Sequence, residues 1–125
     1  MKRRTWALWL LWLAALLFTH RYLFAGTVEA GKDLFRLFIP ESAYLRERLL
    51  AGELPLWIPH VRLGQPFAAL LYTQVFYPPR VLFVLLLGPV WGVQALIVFH
   101  AGLASLGAYL ASRQLGAGRW GALLG

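Results

Sequence analysis

Carboxylates are scarce in this chain. All five, Glu29, Asp33, Glu41, Glu47 and Glu53, fall in one stretch. A side-chain carboxylate can take a proton from an attacking hydroxyl, or hold a divalent cation that neutralises a departing phosphate. Asp33 is the candidate for either task. It follows Lys32, precedes the apolar run LFRLFI and lies soon after the first hydrophobic stretch. The bland alternative, a solvated loop charge, stands beside it. Glu47 and Glu53 read as solvated surface groups, the usual state of an exposed charge. Glu41 follows Pro40 at the start of a predicted helix, where its charge suits the positive end of the dipole.

Other chemistries are thinly represented. There is no cysteine, so thiol catalysis and thiolate metal sites are excluded. His20, His60 and His100 are too far apart for the close helical spacing of a zinc pair. His100 lies inside an apolar run and reads as a neutral helix contact facing protein. No glycine-rich phosphate loop, serine elbow or metalloprotease motif is present.

The elements that position these residues are dictated by a composition of 60% hydrophobic and 14% charged residues. A soluble domain carries about 45–50% apolar and about 25% charged residues, so the chain reads as an all-α membrane protein. Its net charge is +7, but the basic residues are scattered rather than gathered on one face, which argues against nucleic acid. Residues 1–26 are a basic flank and a first transmembrane helix of about 20 residues. Arg21 is expected to snorkel towards the headgroups, with Tyr22 at the interface. A cleaved secretory leader, ending with Val28 and Ala30 at the cleavage site, is the rival reading. Arg21 interrupts the approach to that site, which favours a retained helix.

Residues 27–80 are a mixed segment with a short helix over PESAYLRERLLAGE, stopped at Gly52, and a proline-rich loop. Leu56, Trp57 and Ile58 make that loop apolar enough to lie against a membrane or protein surface. Residues 81–125 hold an uncharged run too long for one simple crossing. Gly88 and Pro89 divide it into a half-helix and a second transmembrane helix over Val90–Ser112. Gly102, Ala104, Ser105, Gly107, Ala108 and Ala111 offer a small-residue face for close helix approach. A short cytoplasmic turn and the start of a third span follow. Lys2, Arg3 and Arg4 at one end, and Arg113 and Arg119 at the other, place both flanks in the cytoplasm and the acidic loop outside.

The stretches KDLFRLFIP, LLAGELPLWIPHVRLGQPF, FYPPRVLF and HAGLASLGAYLASRQLGAGRWGALLG, taken in order after a first span, resemble the beginning of YfhO-type bacterial membrane proteins of the GT-C glycosyltransferase superfamily. Gly52, Pro55, Leu56, Trp57 and Pro59 match one family element, and Gly64, Gln65 and Pro66 a second. Ile58 replaces the usual Asn, a departure that removes a polar contact. The resemblance implies a multi-pass protein of the bacterial inner membrane that moves a sugar from a polyprenyl-phosphate donor to a cell-envelope acceptor. It implies Asp33 as the catalytic carboxylate of the first external loop, acting as base or holding a divalent cation. Lys32, Arg36, Arg62 and Arg80 would meet the donor phosphate, Trp57, Tyr72 and Tyr77 would stack on sugars, and Gln65 would join the substrate contacts. Arg80 has a competing reading as an interfacial anchor, and Trp57 one as loop packing. Two spans are too few to enclose a lipid donor, so the resemblance also implies further transmembrane helices as partners. The alternative is a small non-enzymatic membrane protein whose external loop binds a partner or aids assembly.

Overall fold

A computed structural model describes residues 3–23, 25–26 and 31–124. The leader cleavage site and Glu29 lie outside the described residues. The described chain is mostly helical and contains no strand: α1 spans Arg3–Thr19, α2 Ile39–Leu50, α3 Pro78–Gln114 and α4 Arg119–Leu124. Two compact units divide it, residues 1–27 with 97–125, and residues 28–96.

In the first unit, α1 is apolar on every side. Trp6, Leu10 and Phe18 are all well exposed. The helix is 17 residues long, or roughly 25 Å, shorter than the span read from hydropathy. Its end is built by Arg21. Instead of reaching outwards, the guanidinium folds back, donates to the Phe18 carbonyl at 3.0 Å and lies 4.6 Å from the centre of the Phe18 ring. A cation at the C-terminal carbonyls stops a helix favourably. The Trp12 indole Nε1 donates to Ser105 Oγ at 2.8 Å, and Ser105 Oγ donates to the Gly102 carbonyl at 3.0 Å. A Cβ on Gly102 would sit 3.6 Å from Leu16 Cδ2, an ordinary packing distance, so this position lies against α1 and has room for alanine. Trp9 meets Tyr109 with ring centres 6.2 Å apart. Of the small-residue face, Gly102 and Ser105 lie against α1, while Gly107 faces open space.

In the second unit, Leu45, Ile58, Phe67 and Val75 form the core, with Tyr44, Leu49, Val61 and Ala68 around them. Pro40 lies in the first turn of α2, where its missing N–H costs nothing, and Gly52 closes the far end at φ 76°. The loop returns through one antiparallel pair: Ile58 N donates to the Gln65 carbonyl at 2.9 Å, and Gln65 N to the Ile58 carbonyl at 3.0 Å. Tyr44 ties the loop to α2. Its hydroxyl donates to the Trp57 carbonyl at 2.6 Å, and its ring packs edge-on against Phe67 and His60. The Thr73 hydroxyl lies 2.8 Å and 2.7 Å from the carbonyls of Phe67 and Leu70 and holds the second bend.

Two prolines open α3, and Gly88 breaks it with φ 81° and ψ 176°. Pro89 then occupies the first turn of the continuing helix, where proline fits. The two segments pack tightly at the break: a Cβ on Gly92 would lie 2.7 Å from Val84 Cα. The part after the break, 89–114, is roughly 39 Å long. α3 is long and apolar enough to cross a membrane.

Candidate functional site

Asp33 stands at the head of a π-helical turn, Leu34–Phe38, that runs directly into α2. Such turns are rare and recur at functional sites. Lys32, Asp33 and Arg36 are all exposed. The Asp33 carboxylate does not cap the turn, and it forms no hydrogen bond or ion pair among the described residues. Nor does any group of three or more His, Asp and Glu among the described residues form a metal cluster. Glu47 is exposed, and Glu53 is half-exposed and paired with Arg48.

Trp57, Arg62 and Gln65 lie together on the loop. Gly64 makes this possible. It sits at φ 103°, and the Trp57 ring occupies the space a Cβ would need, 2.8 Å away. Arg62 and Leu63, at φ 51° and 65°, complete the turn, which Gly64 N closes onto the Val61 carbonyl at 2.9 Å. Ile58, where the family element has Asn, is buried in the core and pairs with Gln65 through its backbone. No described hydrogen bond or ion pair joins Asp33 to this loop.

Arg80 is elsewhere. It is 1% exposed, donates to Ser42 Oγ at 3.1 Å and reaches the Tyr72 carbonyl at 3.5 Å. Its surroundings fit neither an interfacial anchor nor an open phosphate contact. Beside it lies Glu41, 3% exposed, with neither carboxylate oxygen in hydrogen-bonding geometry with a donor. The Ser42 hydroxyl donates to the Phe38 carbonyl at 2.6 Å, so Arg80, Ser42 and the base of α2 form one connected group. Burial pushes the Glu41 carboxyl above its ordinary value, while the Arg80 guanidinium and, less strongly, the Tyr72 hydroxyl pull it down. Glu41 and Arg80 stand 39 positions apart in the sequence, and no local spacing announces that they meet.

No protein-family model, curated protein or solved structure matches the chain.

His20, buried at the end of α1, has Nδ1 3.0 Å from the Leu16 carbonyl, so Nδ1–H donates within its own helix. It borders an apolar groove of about 520 Å³ lined by Trp12, Leu16, Ala101, Ser105, Trp120 and Leu123. His60 packs on Tyr44, and His100 meets Phe99 edge-on within α3.

Proposed function

We propose that the chain is the amino-terminal part of a YfhO-type membrane glycosyltransferase of the GT-C superfamily. α1 and the second half of α3 cross the bacterial inner membrane, with both flanks in the cytoplasm and the segment between them outside. Asp33 takes the proton from an acceptor hydroxyl as that oxygen bonds to the anomeric carbon. The bond from sugar to polyprenyl phosphate breaks, and the phosphate leaves as an anion. Lys32 and Arg36, within one turn of Asp33, neutralise it. Trp57, Arg62 and Gln65 contact sugar and phosphate from the loop. Arg80 has no part in binding, because it is enclosed with Ser42 and Glu41.

The observation that carries this reading is the exposed Asp33 carboxylate, unengaged among the described residues and flanked by two exposed cations at the head of a π-turn. An Asp33→Asn change in the chromosomal gene keeps the shape of the side chain and removes its basicity. Envelope glycosylation is expected to fall at least about a hundredfold, the usual contribution of a general base. Transfer at the parental level would remove the catalytic role and leave the non-enzymatic reading.

A further inference from the structure

The turn Val61–Gly64 presents its residues in a costly way. Leu63 is 104% exposed, Arg62 beside it is exposed, and both hold a left-handed backbone that glycine or asparagine would adopt more easily. The half-exposed Trp57 ring lies against the same turn, locked there by the missing Cβ of Gly64. A scattered exposed leucine is ordinary. Here the tip is braced instead, through the Ile58–Gln65 pair and the Tyr44–Trp57 bond, to buried Ile58 and Phe67. From Leu54 to Pro79 the chain has no acidic residue, and Arg62 is its one fixed charge. The same compact unit carries the first part of α3, the helix apolar enough to cross a membrane.

We propose that this turn seats itself in the headgroup layer of an anionic bilayer. Leu63 enters the acyl boundary, the Trp57 ring lies at headgroup depth, and Arg62 meets lipid phosphates. Indole rings favour that depth, and a cation beside them adds attraction to an anionic leaflet. A second copy of the chain fits less well, because it would bring Arg62 against a surface with the same single charge. The inference rests on the membrane part of the proposed function and not on sugar transfer.

The chain has no cysteine, so single-cysteine variants can carry a fluorophore without background. Leu63→Cys, Leu103→Cys and Ala43→Cys, all at exposed positions, are reconstituted as the full chain. The vesicles are phosphatidylcholine, with or without about a quarter phosphatidylglycerol. Lipids spin-labelled at shallow and at deep positions, and iodide present on both sides, are the quenchers. The Leu63 probe is expected to be quenched by lipid several-fold more than the Ala43 probe and to be shielded from iodide. Its lipid quenching should strengthen with phosphatidylglycerol, and Arg62→Gln should abolish that gain. Free access of iodide to the Leu63 probe places the turn in water, and shielding from both quenchers places it under protein. Either result overturns the inference, as does indifference to lipid charge. The Leu103 probe on α3 separates the failures. If lipid does not quench it, the membrane reading itself falls, whereas quenching at Leu103 without quenching at Leu63 sinks the inference alone.

Discussion

Replacing Glu41 by glutamine keeps its size and removes its charge, which isolates what burial does to this carboxylate. The side chain is 3% exposed, its oxygens lack donors in good geometry, and Arg80 is the nearby cation. Two effects oppose each other: loss of hydration disfavours the carboxylate, and attraction to Arg80 favours it. Burial is the larger, since the carboxyl titrates above its ordinary value of 4.5. The sign of the pH dependence follows. The protonated acid is the form the fold prefers, so its contribution to stability is fully present below about pH 4.5 and is lost as pH rises through the raised value. Each unit of upward displacement corresponds to about 1.4 kcal/mol, or about tenfold in the unfolding constant.

Unfolding of the full chain in maltoside micelles, followed by tryptophan fluorescence, reads this directly. Below about pH 4.5 the parent and Glu41→Gln should unfold alike, and at about pH 8 the variant should be the more stable. Arg80→Met is the contrasting change. It leaves an ionised, enclosed carboxylate uncompensated and should cost about 3–5 kcal/mol at the higher pH and less at the lower. A Glu41→Gln protein less stable than the parent at pH 8 would show that the attraction to Arg80 outweighs desolvation, and the reasoning would be wrong.

Gly92→Ala should cost at least about 2 kcal/mol, because the new Cβ meets backbone rather than a movable side chain. Thermal unfolding in micelles checks this, and a loss below about 0.5 kcal/mol would mean the break at Gly88 opens freely. Ser105→Ala and Trp12→Phe should each cost about 0.6–2 kcal/mol through the same interhelical hydrogen bond. A double-mutant cycle should find the losses non-additive, and simple additivity would deny the bond any weight.

Features of the fold that rest on single punctuating residues can be read from the sequence. The Gly88–Pro89 pair divides α3 because one residue accepts a positive φ and the other starts a helix. Pro40 and Gly52 bracket α2 for related reasons. Hydropathy marks α1 as apolar but cannot say where it stops, because the Arg21 side chain ends it by turning back on Phe18. The turn at Arg62 and Leu63 was equally hidden: neither residue type favours a positive φ, and the chain adopts it there because core contacts on both sides fix the ends. In the candidate site, scarcity and position single out Asp33, yet sequence cannot distinguish an exposed carboxylate from an enclosed one. The enclosed acid is Glu41. In sequence it has only the look of a helix-dipole residue, because its true neighbour, Arg80, arrives from a distant helix.

The bond between Trp12 and Ser105 joins groups 93 positions apart. At a synthesis rate of about 5–20 residues per second, α1 emerges from the ribosome roughly 5–20 s before the residue that receives its indole proton exists. During that interval its indole N–H must take another partner, and a premature stop before Ser105 leaves it without the one the folded chain supplies.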